Sequence, residues 1–317
     1  MSLLSIPKIN INLWELKNKK ILEKSEKVFN SFAKKNIKYN FKHIHCPCES
    51  KKKTKLVKTF YELRYQECNC GTIFINPTLS DMHLNKIYKN KGIYEKHRRE
   101  ILFEKKSKSI RNLSNKRKIL QILKLIKNNK YSKILDFGCG DGELLNSLSK
   151  NLNKDNLFGF DLNSNIKTTK NKIKIFSKFS EIKLQKFKLI SLWGVLEHVR
   201  EPKKLISFLT NRLEKGGYLV LEIPSSDSLL AKFTFSSNEI PIRWLEPYRH
   251  LFFFSYKCLK KIFEKRFKIE FVESNGLDLQ TIYSSKNIFN EEKLIQGQKI
   301  INNLMLADHY RIFLKKK

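Results

Sequence analysis

Ile134-Leu135-Asp136-Phe137-Gly138-Cys139-Gly140-Asp141-Gly142 decides how this chain is read. A short apolar run stops at three glycines on alternate positions, and Asp141 to Leu152 continues with helical character. Glycine is required where backbone must approach a ligand closely or take a positive φ. The helix that follows presents unpaired N–H groups at its start. In dinucleotide folds the spacing is G-x-G-x-x-G and a pyrophosphate sits on that helix. Here it is G-x-G-x-G, with Asp136 before the loop and Asp141 inside it. Carboxylates are awkward beside a pyrophosphate and suit a cationic or zwitterionic ligand that carries an amino group. Cys139 belongs to the same loop, and its side chain reads as a packing thiol.

Outward from the loop, Leu157 to Phe160 is a second strand ending at Asp161. A carboxylate at that point can accept both hydroxyl protons of an adenosine ribose. Ile173 to Phe176, Phe187 to Trp193 and Tyr218 to Ile223 read as further strands, with a helix from Pro202 to Leu213. This alternation predicts a parallel sheet covered by helices on both faces. Residues 225–254 are aromatic and lack a clear period, which predicts an insertion near the sheet's carboxyl edge. A helix from Tyr256 to Phe267 precedes two expected closing strands, Lys268 to Glu273 and Leu279 to Tyr283.

The resulting order is a helical lead-in (1–40), a cysteine-bearing β segment (41–78), a helical connector (79–130), the α/β domain (131–286) and a helical tail (287–317). The connector carries an apolar stripe through Leu113, Ile119, Leu120, Leu123 and Ile126. In the β segment, Phe60 to Leu63 and Thr72 to Ile75 read as strand runs. Cys46-Pro47-Cys48 and Cys68-Asn69-Cys70 flank them, and paired thiolates across a hairpin are the layout of a structural zinc ribbon. His45 is an alternative ligand to one of the cysteines.

The chain has 317 residues, 41% of them hydrophobic, enough for a sizeable core and against global disorder. No run reaches the roughly 18 apolar residues of a membrane span. Nothing at the start reads as a secretory signal, so the expected location is a reducing cytoplasm, with cysteines as thiols or metal ligands. The net charge of +34 invites a nucleic-acid reading. It rests on 53 Lys and only 11 Arg, however, and phosphate recognition favours the bidentate Arg fork. The excess is concentrated before residue 131, so that front half is where an RNA-binding face would lie.

Four segments resemble the class I S-adenosylmethionine (SAM)-dependent methyltransferases: Leu135–Gly142, Gly159–Asp161, Ser191–Val199 and Leu213–Tyr218. The resemblance implies a Rossmann-like seven-stranded sheet. It implies Gly138, Gly140 and Gly142 around the methionine part of SAM, Asp161 with the adjoining Leu162 at the ribose, and Leu192–Trp193 under the sulfonium. Lys188 departs from the pattern, which often has Asp at the start of that strand. Many such enzymes resemble this chain in carrying a zinc ribbon that leads into an apolar-Asn-Pro segment, here Ile73-Phe74-Ile75-Asn76-Pro77. Their pairs are C-x-x-C, whereas both pairs here are C-x-C.

Methyl transfer needs a base only if the acceptor must lose a proton. Glu197 and His198, just past the fourth strand, are candidates, with a capping or packing role as the alternative. His250, in Tyr248-Arg249-His250-Leu251-Phe252-Phe253-Phe254-Ser255, resembles a His-aromatic-Ser segment of relatives and is the other candidate. The favoured acceptor is a small molecule, or a sugar- or lipid-linked one, in surface-glycan or secondary-metabolite synthesis. Modification of RNA and a non-enzymatic ribbon role are the competing readings.

Overall fold

The computed structural model describes residues 41–48, 54–60, 63–82, 104–162, 168–182, 184–237, 242–246, 249–283 and 291–317, with scattered positions at 20–31 and at 100. Most of the expected lead-in and the first part of the connector lie outside these residues.

Thirteen strands are described: β1 (Phe41–Lys42), β2 (Lys55–Phe60), β3 (Leu63–Glu67), β4 (Ile73–Ile75), β5 (Thr78–Leu79), β6 (Ile134–Phe137), β7 (Leu157–Phe160), β8 (Ile175–Phe176), β9 (Phe187–Trp193), β10 (Leu213–Pro224), β11 (Phe252–Phe253), β12 (Phe267–Asn275) and β13 (His309–Lys316). The α-helices from residue 105 onward are α1 (Lys105–Leu125), α2 (Glu143–Leu148), α3 (Pro202–Thr210), α4 (Leu229–Ser236), α5 (Ile242–Leu245), α6 (Tyr256–Phe263), α7 (Asp278–Tyr283) and α8 (Glu291–Asn303).

The main sheet has the order β12-β13-β10-β9-β6-β7-β8. Strands β10, β9, β6, β7 and β8 run parallel, while β13 is antiparallel to both β10 and β12. All four residues of β6 are buried, the continuous apolar pattern of a strand covered on both faces. This is the expected α/β methyltransferase architecture, with corrections at its end.

Leu279–Tyr283 is not a strand but part of helix α7. Asp278 at its first turn accepts from Leu230 N at 3.2 Å, Asp308 N at 3.1 Å and Gln298 Nε2 at 2.9 Å. The last 31 residues are not a purely helical tail: after α8 they supply β13, which lies inside the sheet. Its core residues Tyr310 to Leu314 are all buried, so no alternation marks them, and Arg311 disguises the run as polar. Arg311 is 1% exposed and is neutralised by Glu222 on β10 and Glu273 on β12.

The cysteine segment is not a detached module. Strands β2, β3 and β4 form a sheet with β11, whose Phe252 and Phe253 pair with Phe74 and Ile73. Cys46, Cys48 and Cys68 pack in one apolar cluster with Leu221, Leu251 and Cys258 of the α/β domain. Phe60 to Leu63 is not one strand: Phe60 closes β2, Leu63 opens β3, and the two pair with each other.

Candidate active site

Open α/β sheets bind ligands beyond the carboxyl ends of their strands. Here that edge gathers the loop after β6, Asp161 after β7, Glu197 and His198 in the 3-10 turn Leu196–His198 after β9, and the start of the reversed strand β13. The glycine loop is tied to the next strand, since Gly138 N and Cys139 N both donate to Phe160 O, at 2.7 and 3.1 Å. Gly140 has φ +56° and donates its N–H to Asp161 Oδ2 at 2.9 Å. A Cβ added at Gly140 would meet nothing within 4 Å, so the loop has an open side. Leu162 stands exposed beside Asp161. A cradle without side chains, an acceptor carboxylate and an exposed apolar residue together match the polar and aromatic parts of an adenosyl ligand.

The other cofactor candidates are sorted by the same geometry. Asp136 is enclosed: Ser191 Oγ donates to it at 2.7 Å, and burial lifts its carboxyl to about 6 against the pull of Ser191 and Lys118. Cys139 packs toward β7, where a Cβ on Gly159 would come within 2.6 Å of its sulfur, and burial pushes the thiol up. Leu192 points into the main core and is 2% exposed. Trp193 faces α1, with Lys118 Nζ 4.4 Å and Arg311 Cζ 5.3 Å from its ring. Its buried Nε1 has no hydrogen-bond partner.

The acceptor-side candidates come together in space. Glu197, His198 and His250 place one ligand atom each within 4.8 Å of one another. Leu251 N donates to Glu197 O at 2.8 Å, which fastens the His250 segment to the turn after β9. His198 and His250 donate their Nδ1 protons to Arg249 O at 2.8 Å and Trp244 O at 3.1 Å, because a carbonyl can only accept. Burial, with His198 and Arg249 nearby, holds His250 well below the ordinary imidazole range. Burial pushes Glu197 up to about 8. Phe252, Phe253 and Phe254 are fully buried in and beside core strand β11, which pairs with β4, so they are core residues and not the expected lid over a pocket.

Two groups at this edge were not singled out from the sequence. Lys118, Glu222, Arg311, Glu273 and Gln121 form a buried ionic network. Gln121 Nε2 donates to Glu273 Oε1 at 3.2 Å, and Arg311 Nη1 donates to Gln121 Oε1 at 2.9 Å. Burial opposes the charge on Glu222, but Arg311 and Lys118 outweigh it and hold the carboxyl well below its usual range. The second group is Asp308–His309, paired at 2.7 Å. Burial disfavours the imidazolium, while Asp308, Glu222 and Glu197 outweigh burial and raise His309 to about 9. An acid and a histidine just before an apolar run are visible in the sequence. Arg311 and the lack of alternation in that run hide its strand character.

His309 has a measurable consequence. A folded pKa raised from 6.5 to about 9 contributes stability that is fully present below 6.5 and is lost as pH rises through 9. Asp278, lifted to about 7 by burial and by Asp308, acts in the same direction at lower pH. Thermal unfolding against pH should show this decline in the wild type. Asp308→Asn should flatten the curve, with a loss on the order of 2 kcal/mol at pH 6.

The four ribbon cysteines converge. Their sulfurs all lie within 4.8 Å of one another, with Cys46–Cys48 at 3.4 Å and Cys46–Cys70 and Cys48–Cys68 at 3.5 Å. Tetrahedral thiolate ligation at about 2.3 Å spaces sulfurs by roughly 3.8 Å, so the shorter C-x-C spacing is compatible with zinc. His45 is exposed and lies outside the group, which corrects the alternative ligand set. Hydrogen bonds from Cys258 and Cys46 lower the Cys70 thiol, so Cys258 of α6 reaches the cluster as a packing neighbour.

Among the described residues, no helix is long and apolar enough to cross a membrane. No curated protein matches the chain. Solved structures of similar shape include a SAM-dependent methyltransferase from Archaeoglobus fulgidus, 20% identical with TM-score 0.43, covering 64% of this chain and 94% of that one. A second is the plantazolicin methyltransferase BpumL, in complex with a monoazolic desmethylPZN analog and SAH, 16% identical with TM-score 0.41, covering 63% and 84%. Coclaurine N-methyltransferase bound to N-methylheliamine and SAH is 13% identical with TM-score 0.43, covering 64% and 72%. The family model described as a methyltransferase domain matches residues 99–266, more than half of the sequence and the part that holds the glycine loop, Asp161, Glu197, His198 and His250. The chain therefore belongs to the methyltransferase-domain family and is a methyltransferase.

Proposed function

We propose that this enzyme methylates a small-molecule or sugar-linked acceptor that enters between the turn after β9 and the aromatic segment at His250. The observation that carries the reading is the adjacency of the two halves of the site. Val195, two residues before Glu197, lies against Gly138 of the glycine loop. A cofactor in the loop and an acceptor at Glu197, His198 and His250 are then neighbours, which is what in-line transfer needs.

When bound, SAM supplies a methyl group on a sulfonium that is already a good leaving group. Asp161 would hold the ribose hydroxyls and, by accepting from Gly140 N, keeps the loop in shape. With both Nδ1 protons committed to backbone carbonyls, the Nε2 atoms of His198 and His250 are the ones that would take the acceptor's proton. Zinc held by Cys46, Cys48, Cys68 and Cys70 has a structural part in this reading: it stiffens the sheet whose edge strand β11 adjoins His250.

Labelled SAM added with the enzyme to a lysate of the source organism, followed by fractionation, tests the acceptor class. Label in a small-molecule or glycan fraction supports the reading. Label confined to an RNase-sensitive fraction overturns it and makes the lysine-rich front half a substrate-binding surface.

A further inference from the structure

The cluster at Glu197 has the chemistry of a site for more than a proton. Glu197 is 1% exposed, and its Oε2 has no hydrogen-bond partner. Its Oε1 lies 3.9 Å from His198 Nε2. His250 Nε2 lies 3.8 Å from Glu246 Oε2, and the two imidazole rings are 5.0 Å apart. A buried carboxylate oxygen with nothing to accept from is costly.

The two imidazoles are set in the orientation that metal ligation uses. Each Nδ1–H donates to a backbone carbonyl, which fixes the tautomer and turns the lone pair of Nε2 toward the cluster. The backbone is also bent to supply a further carboxylate. Glu246 has φ +38°, a left-handed value that side-chain-bearing residues rarely adopt, and its carboxylate is shared between Arg249 Nη1 and the side facing His250. Strain of this kind persists where the surrounding structure over-determines it, often at ligand sites.

We propose that Glu197, His198 and His250, with Glu246 beside them, bind a divalent transition-metal cation. Two imidazoles and a carboxylate, without a thiolate, suit manganese, iron, cobalt, nickel or zinc and not a soft monovalent ion. Three protein ligands leave coordination positions open, as in catalytic rather than structural sites. A cation there would orient an oxygen or nitrogen acceptor beside the turn that touches Gly138. It would make the Nε2 atoms ligands instead of proton holders, which refines the acceptor-side role given above. The methyl-transfer reading does not depend on it.

Cobalt(II) added to the purified full chain tests the proposal. Cobalt at the ribbon shows sulfur-to-metal charge-transfer absorption, whereas cobalt on imidazole and carboxylate does not. The expected result is one cobalt ion per chain without thiolate absorption, weakened about tenfold or more by Glu197→Gln and by His250→Gln. Proton NMR of the wild-type cobalt form should show two exchangeable, paramagnetically shifted imidazole N–H resonances, from His198 and His250, and this readout needs no variant to fold. Cobalt bound only at thiolates, absence of the shifted pair, or binding unchanged in both variants would overturn the proposal. Binding of S-adenosylhomocysteine, measured alongside, separates this failure from a failure of the methyltransferase site.

Discussion

Cys48→Ser is expected to release zinc, loosen the four-stranded sheet and abolish turnover. Cys48 is 1% exposed, and its sulfur lies within 3.5 Å of Cys68 and 3.4 Å of Cys46. Removing one member of a buried charged set costs about 3–5 kcal/mol. Structural zinc in isolated finger peptides supplies roughly 10–16 kcal/mol. The smaller figure is expected here, because Ile44, Cys46 and Phe74 remain packed against the α/β core. The damage should reach the acceptor side through a short path. Strand β4 pairs with β11, Leu251 immediately precedes β11, and Leu251 N donates to Glu197 O. Thermal unfolding, zinc content and turnover of the variant check this together. Unchanged melting with unchanged metal content would mean that the four cysteines hold no ion.

Gly138→Ala is expected to be strongly damaging, because it strains the cofactor loop against the turn after β9. Gly138 has φ +82°, where a residue with a Cβ costs about 1–2 kcal/mol. The added carbon would also lie 2.4 Å from Val195 Cγ2, and overpacking of this kind costs about 1–3 kcal/mol. Relief requires Val195 to move, and the turn that carries Glu197 and His198 starts one residue later. Cofactor affinity and turnover should therefore fall together, by tenfold or more each, with a melting temperature lowered by several degrees. Gly140→Ala is the control: its φ is also positive, but its Cβ has open space, so it should melt closer to the wild type. Equal effects of the two substitutions would remove the steric link between the loop and Val195.

The centre of the fold was legible because its chemistry is local. Ile134 to Gly142 needs only its own residues to say strand, loop and helix, and Asp161 follows at the end of the next strand. The cysteine pairs were legible for the same reason. What escaped was set by distant partners. Strand β13 reads as polar because Arg311 lies in it, and distant partners, chiefly Glu222 and Glu273, 89 and 38 positions away, make a buried arginine tolerable. Leu279 to Tyr283 has a strand-like composition, and Asp278, held by Leu230 N and Asp308 N, turns it into a helix. Asp308–His309 lies far from any motif in the chain, and Glu246, though only four residues before His250, belongs to no motif itself. They reach the sheet edge through an insertion and through the last strand.

The most direct measurement is calorimetric titration of S-adenosylhomocysteine into the full chain and into Asp161→Ala. Asp161 accepts from Gly140 N at 2.9 Å and is the residue proposed to accept from the ribose hydroxyls. Hydrogen bonds to a charged group contribute about 1.5–3 kcal/mol each. The expected result is binding at a single site in the wild type, weakened on the order of a hundredfold in the variant, with the fold retained. No binding to the wild-type chain, or equal affinity of the two proteins, would contradict the assignment of the glycine loop and Asp161 as the cofactor site.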